Sequence, residues 1–219
     1  CAQLVCTLVA QRLPDAYHYN AITDIQVLCP TKIGPLGTVA LNTRLQELLN
    51  PPTPAKKQLS HMGRVFREGD KVMQIKNNYD IQFTRDNGED GVGAFNGDMG
   101  IIEAVDVRGG GLVVRSEDRR IVYTQEHLAQ LETAYAITIH KSQGSEFAAV
   151  IMPLAEVPQK LCYRNLLYTG VTRARSLCIL AGQMSVLEGM VHSVKNTLRF
   201  SCLSAFLKEG VPCKRPISG

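Results

Sequence analysis

No Cys-x-x-Cys pair occurs among the seven cysteines, Cys1, Cys6, Cys29, Cys162, Cys178, Cys202 and Cys213, which argues against both a zinc ribbon and a disulfide framework. They read as reduced thiols, mostly in the core, and no metal site is expected. No apolar run approaches the roughly 20 residues that span a bilayer, and no charged-then-apolar leader opens the chain. The expectation is a protein that is neither secreted nor membrane-embedded. The loop that wraps nucleotide phosphates, Gly-x-x-x-x-Gly-Lys-Ser/Thr, is missing; its nearest approach, Gly34-Pro35-Leu36-Gly37-Thr38, has no lysine. A serine triad has no support either, because no Gly-x-Ser-x-Gly elbow occurs. There is no internal repeat or low-complexity segment, and aromatic residues make up only 6%.

The 219 residues, 45% apolar and 20% charged, suffice to bury one large or two modest cores. Basic residues outnumber acidic ones by 24 to 20, for a net charge of +4 and a pI near 8.7. That balance permits a nucleic-acid partner without specifying one. The chain opens at Cys1 and goes directly into helically spaced Leu4, Val5, Leu8 and Val9, so it reads as a piece of a longer protein.

Residues 3–13 predict a helix that Pro14 closes, and Ile25–Cys29 a buried parallel strand. After a loop with Lys32, Gly34, Pro35 and Gly37, Thr38 reads as the N-cap of a helix carrying Leu41, Leu45, Leu48 and Leu49. Asn50-Pro51-Pro52 stops it. Between about 53 and 132 the character changes to short strands, at Lys71–Ile75, Gly100–Val105, Leu112–Arg115 and Arg120–Tyr123. Asn87-Gly88, Asn96-Gly97-Asp98 and Gly109-Gly110-Gly111 suit hairpin turns. This predicts a small antiparallel barrel, residues 63–132, inserted into an α/β domain made of 1–62 and 133–219. Parallel strands resume at Ala136-Ile137-Thr138-Ile139, Ala148–Met152 and Leu177–Leu180, with a helix over Leu161–Val171 whose Leu166, Leu167 and Val171 share one side. Ser185 and Glu188 have capping-box spacing for a helix through Val194, and Leu203, Phe206 and Leu207 suggest a last helix.

The chemistry concentrates in two stretches. Thr138-Ile139-His140-Lys141-Ser142-Gln143-Gly144-Ser145-Glu146-Phe147 puts hydroxyls, an imidazole, an ammonium and a carboxylate on one loop between strands, a mixture that handles phosphate and ribose. Thr138, His140, Lys141 and Ser142 suit nucleic-acid phosphates, gripped without reading bases; for His140 alone a structural, hydrogen-bonded role competes. Gly144 fits a backbone with unusual angles or close ligand approach, with packing as the rival. Glu146 reads either as an acceptor for ribose hydroxyls or as a solvated loop acid. In Tyr168-Thr169-Gly170-Val171-Thr172-Arg173-Ala174-Arg175, Arg173 stands at a helix end, where a guanidinium can stabilise the charge that develops in γ-phosphoryl transfer. A surface salt bridge is the alternative for Arg173, and Arg175 reads as structural. Lys32, just past a strand's C-terminal end, is a candidate contact to nucleotide phosphate or to the DNA backbone, against a solvated loop lysine. Tyr79 and Phe95 read as barrel core rather than as platforms for stacked bases.

Both stretches resemble the fifth and sixth motifs of superfamily one helicases, and His140–Phe147 is most similar to the RecD-type DNA helicases, known also as exodeoxyribonuclease V alpha chains. Val27–Thr38 resembles the family's fourth-motif region, and Phe66–Gln74, Lys76–Tyr79 and Phe95–Gly100 extend the likeness over nearly the whole chain. The resemblance implies a RecA-like, P-loop NTPase-type α/β domain with an SH3-like barrel inserted, forming the second motor domain of a 5′–3′ DNA helicase. It implies Arg173 as the arginine finger, with Tyr168, Gly170 and Thr172 shaping the helix end, Glu146 at the ribose, and Gly144 and Lys32 at the nucleotide. Thr138, His140, Lys141 and Ser142 fall to single-stranded DNA. ATP and Mg²⁺ would lie between this domain and an N-terminal motor domain of the same protein, with no cofactor held and no ATP hydrolysed by this chain alone. The family likeness further implies a bacterial cytoplasmic setting, with other nuclease-helicase subunits as partners if the parent works in a multisubunit nuclease. The helicase part of a conjugative relaxase is the alternative within the motor class, and a non-catalytic nucleic-acid- or protein-binding module the alternative outside it.

Overall fold

The computed structural model describes residues 1–193. Helices α1 (Ala2–Thr7) and α2 (Leu13–Tyr17), joined by a π-helical turn at Leu8–Arg12, lead to strand β1 (Ile25–Cys29) and helix α3 (Thr38–Leu49). A hairpin follows, β2 (Gln58–His61) and β3 (Arg64–Arg67), and then β4 (Lys71–Gln74), β5 (Asn78–Arg85), β6 (Asp90–Ala94), β7 (Met99–Asp106), β8 (Gly111–Ser116), β9 (Arg119–Tyr123) and β10 (Leu131–Thr133). The remaining elements are β11 (Ala136–Thr138), β12 (Phe147–Leu154), α4 (Arg164–Val171), β13 (Ala174–Gly182) and α5 (Met184–His192).

Every residue of β1 is buried, as expected for a strand covered on both faces. Four parallel strands run in the order β11-β1-β12-β13. Val27 and Ile151 face α1 and α3 with Val5, Val9, Leu41 and Leu45, while Leu28, Val150 and Met152 face Leu166, Leu167 and Met190 of α4 and α5. Alternate residues therefore feed two separate cores, and the sheet is the middle of three layers.

The second sheet is antiparallel, ordered β10-β4-β7-β8-β9-β5-β6. Leu131 and Val72 from one end share a core with Ala94 from the other, so the sheet curls round its own apolar filling. Hairpin turns fall at Asn87-Gly88, with Gly88 at φ +86°, and at Gly109–Gly111, with Gly110 at φ +69°. Asn96-Gly97-Asp98 turns too, but β6 and β7 are not neighbours, and Gly97 N–H instead bonds the Gln74 carbonyl at 2.9 Å. Strands β2, β3, β5, β6 and β10 lacked a legible pattern in the sequence. In β5 only Ile81 is fully buried, so no apolar alternation marks it.

Met73 of β4 enters the core beside Leu28, Ile137 and Ile139, which anchors the antiparallel unit on the parallel sheet. A polar joint lies alongside. The Asp70 carboxylate, fully buried, accepts hydrogen bonds from Gln46 Nε2 (2.5 Å), Asn50 Nδ2 (2.7 Å), the Tyr135 hydroxyl (2.9 Å) and the Arg67 backbone N–H (2.7 Å). Asn50 is also held by Lys56 through its side chain and by Arg67 through its carbonyl. Helix, hairpin and returning chain thus converge on one carboxylate.

Several expectations are corrected. The first helix runs through Pro14 to His18, whose φ of +58° ends it. The π turn bonds Leu13 N–H to the Leu8 carbonyl, so Pro14 falls in the first turn of a new segment, where no N–H is needed. Gly37, not Thr38, is the N-cap of α3, and Gln183, not Ser185, caps α5. The Ser185–Glu188 capping box is therefore absent. Val171 is 38% exposed, off the buried side of α4. Tyr79 and Phe95, 65% and 43% exposed, form an edge-to-face pair outside the barrel core. Val194 and the helix suggested by Leu203, Phe206 and Leu207 lie outside the described residues. No helix among the described residues is long and apolar enough to cross a membrane.

Lys71 is buried where the two sheets meet, with Nζ 5.7 Å from the Phe147 ring centroid and 3.5 Å from the Ile25 carbonyl. Desolvation lowers its pKa from 10.5 to about 8, with Asp24 pulling weakly the other way. Between those values the unfolded chain keeps a proton that the native chain has released, so stability rises with pH across the window. The gain is on the order of 3 kcal/mol. Thermal melts should therefore show the Tm of the wild type gaining on that of Lys71→Met as pH climbs from 8 to 10, with the variant more stable at neutral pH. Parallel pH profiles for the two proteins would contradict this burial effect.

Candidate nucleotide and nucleic-acid site

The last turn of α4 delivers Arg173. A Cβ on Gly170 would come within 2.7 Å of Met152 Sδ and 3.6 Å of Ile139, so the glycine leaves room for the Met152 side chain between α4 and β12. Arg173 follows the Thr172 C-cap and spends three of its five N–H donors locally: Nε to the Thr169 carbonyl (3.2 Å), Nη1 to the Ser145 carbonyl (3.1 Å) and Nη2 to Thr172 Oγ1 (3.3 Å). Its own carbonyl accepts the Phe147 N–H at 2.9 Å. The helix end and the His140–Glu146 loop are thereby stitched together.

Glu146 stands next to that seam, 3.1 Å from Arg175 Nε, in an exposed pair. Arg175, read as structural, is thus its ion-pair partner. Gly144 has φ +88° with open space where a Cβ would be, so backbone conformation rather than packing calls for glycine. A crevice of about 290 Å³ opens here, lined by Gln143, Gly144, Tyr168, Thr169, Thr172 and Arg173. Tyr168 is 69% exposed at its rim. The first rung of the β12–β13 pair is Phe147↔Ala174, so Glu146 and Arg173 sit at the N-terminal edge of these strands.

Lys32 does not join them. It follows β1, whose Cys29 pairs with Thr138, at the opposite, C-terminal edge, about six rungs or roughly 20 Å along the strands. There it meets Thr138 and Lys141 around a cavity of about 170 Å³. Lys141 Nζ lies 2.7 Å from Glu132 Oε2, and Lys32 Nζ and Arg64 Nη2 each lie 3.4 Å from Oε1. Burial pushes the Glu132 carboxyl up, but the Lys141 hydrogen bond and the charges of Lys141, Lys32 and Arg64 outweigh it, leaving the pKa lowered. His140 is exposed, its Nε2 3.4 Å from the Tyr163 hydroxyl. The Ser142 hydroxyl is fully buried and donates to the Ile139 carbonyl at 2.7 Å, so it does not join Thr138 and Lys141 in lining that cavity. Glu132 and Arg64 escaped the sequence reading, because no local pattern connects a hairpin arginine to a strand acid 68 residues away.

Two family models match this chain. Residues 41–115 fit the ATP-dependent RecD-like DNA helicase SH3 domain, and residues 133–181 fit the UvrD-like helicase C-terminal domain. The chain is 35% identical over 161 residues to the ATP-dependent RecD2 DNA helicase of Deinococcus radiodurans, covering 74% of this chain and 20% of that protein. The chain belongs to the RecD-type helicase family. It is also 29% identical over 166 residues to the RecBCD enzyme subunit RecD of Mycobacterium tuberculosis, covering 75% of this chain and 26% of the subunit. It therefore spans about a fifth to a quarter of the length of these RecD-type relatives. Among solved structures, the Bacteroides Pif1 helicase in complex with ADP-AlF3 and ssDNA aligns with TM-score 0.52 at 17% identity, over 95% of this chain and 50% of that one. That likeness is one of fold: a helicase α/β sheet carrying an SH3-like module.

Proposed function

We propose that this chain forms the second motor domain of an ATP-dependent 5′–3′ DNA helicase of the RecD type. The motor part comprises 1–62 and 133–219, and the SH3-like module 63–132, though the β2–β3 hairpin turns at Met62-Gly63, on that junction. Nucleotide and Mg²⁺ are held between this domain and an N-terminal motor domain of the same protein. Arg173 extends its two remaining N–H donors to the γ-phosphate, and Glu146 exchanges Arg175 for ribose hydroxyls. At the far edge Thr138, His140, Lys141 and Lys32 hold the backbone of single-stranded DNA. The observation that supports this reading is a shared sheet edge: Arg173 lines the crevice and bonds the carbonyl of Ser145, the residue beside Glu146, which pairs with Arg175 at the same end of the strands. A setting in the bacterial cytoplasm, alone or with nuclease-helicase subunits, fits the RecD-type relatives.

Titrating the purified chain with a labelled oligothymidylate at several salt concentrations, with ATP turnover followed in parallel, tests the reading. Binding should weaken steeply with salt, because lysines and arginines displace condensed counterions. No ATP should be turned over, since the 219 residues contain no phosphate loop. Hydrolysis by the chain alone, or a complex insensitive to salt, overturns it.

A further inference from the structure

Three cations from three separate segments converge on Glu132. Lys32 comes from the loop after β1, Arg64 from the hairpin, and Lys141 from the turn after β11. They line a cavity at the seam of the two sheets, with Thr38, Asn42 and Thr138 among the other wall residues. The walls are fixed: Asn42 clamps the edge strand by bonding both the Ala136 carbonyl (2.7 Å) and the Ala136 N–H (2.8 Å). Arg64 Nη1 is tied to the Leu131 carbonyl at 2.7 Å, so its guanidinium is aimed before any ligand arrives. Lys32 and Lys141 each commit one of three N–H donors to Glu132. One carboxylate against three cations leaves two positive charges unmatched. The Lys32, Arg64 and Glu132 side chains keep 51%, 40% and 27% of their surface, so the cluster is open to a second anion.

We propose that this cavity seats one phosphate of a single-stranded DNA backbone, and that Glu132 is a built-in competitor for the same cations, weakening the grip so that the strand can be released. The proposal rests on the nucleic-acid reading above and adds two residues to it. Arg64 reaches the strand from the SH3-like module, which gives that module a direct share in DNA contact. Glu132 sets the strength of the grip. A strand-translocating protein has to let go of each phosphate it holds, and a carboxylate that re-pairs with the cations as the phosphate leaves lowers the barrier to release.

The experiment is oligothymidylate binding by the full chain, measured by fluorescence anisotropy across a salt series. Glu132→Gln keeps the shape and removes the competing charge. It should bind about 3- to 10-fold tighter near 0.1 M salt, with the slope of log affinity against log salt steeper by about 0.7. Arg64→Gln alone should flatten that slope by a similar amount, and adding it to Glu132→Gln should cancel most of the gain. A Glu132→Gln protein that binds no tighter than wild type overturns the competitor role. An unchanged slope in Arg64→Gln overturns the phosphate seat even if the Glu132 variant fails to fold. Millimolar inorganic phosphate or ATP should compete no better than chloride at matched ionic strength, and stronger competition would reassign the cavity to a free nucleotide. Absence of oligothymidylate binding by the wild type would instead bring down the nucleic-acid reading itself, whereas normal wild-type binding with an unresponsive Glu132→Gln removes only this inference.

Discussion

Arg173→Ala, in the helicase assembled with its ATP-binding domain, is expected to lower DNA-stimulated ATP turnover by about 10³- to 10⁵-fold, the range for loss of an arginine finger. Affinity for single-stranded DNA should stay within a few-fold, because the guanidinium lies at the sheet edge opposite the Lys32–Lys141 cluster. Arg173 also bonds the Ser145 and Thr169 carbonyls, so its removal loosens the Gly144–Glu146 loop as well as deleting a charge. Arg173→Lys separates the two effects. Lysine keeps the charge but cannot bridge both carbonyls in the fork geometry of a guanidinium. If transition-state charge dominates, lysine restores part of the turnover; if the bridge dominates, lysine is as poor as alanine and the Michaelis constant for ATP rises with it. Turnover within threefold of wild type in Arg173→Ala would remove this residue from the mechanism.

Asp70→Ala should be the most damaging single change to stability. It takes the acceptor from one N–H each of Gln46 and Asn50, which keep bonds to the Val65 and Glu68 carbonyls, and from the Tyr135 hydroxyl and the Arg67 N–H, in a site with no exposure. Each buried donor left unpaired costs about 1–3 kcal/mol, less whatever entering water recovers. A net loss of about 4 kcal/mol corresponds to a Tm lower by about 8–16 °C for a chain of this size. Asp70→Asn should fall between, since an amide offers one acceptor oxygen where the carboxylate used two. Because these groups tie α3 and the returning Tyr135 to the antiparallel unit, the alanine variant should also show faster hydrogen exchange in β3 and β4 than in β1. A melt within 3 °C of wild type, or exchange spread evenly over both sheets, would mean that the joint is held by the apolar contacts of Met73 rather than by Asp70.

Much of the parallel sheet was legible. Ile25–Cys29 and Ala148–Met152 are short apolar runs bounded by proline or loop residues, and such runs can be buried on both faces only in the middle of layered structure. Hairpin strands were legible where β-forming apolar residues run together, as Leu112-Val113-Val114 do in β8, and were not where one buried residue carries the strand, as Ile81 does in β5. Tyr79 and Phe95 were misread because aromatic residues usually favour the core, while here they pair edge to face on the exposed side. The Pro14 misreading came from a shift of hydrogen-bond register one turn earlier, which leaves no sequence mark.

For the site, local sequence determined which side chains are carried by the loop before β12 and by the end of α4, and it left Gly144 open between an unusual backbone, a close ligand and packing. Those are properties of a few consecutive residues: hydrogen-bonding chemistry, backbone sterics and the apolar runs on either side. Only the folded chain decided which of those side chains share an edge of the sheet. Parallel pairing sets Glu146 and Arg173 together at one end of β12 and β13, and sends Lys32 to the other end with Lys141. It buried Ser142, and it brought Arg64 and Glu132, from opposite ends of the inserted module, to a single cavity. Contacts of that range are fixed by strand register and by how one sheet docks on another, and neither is written in any short stretch of sequence.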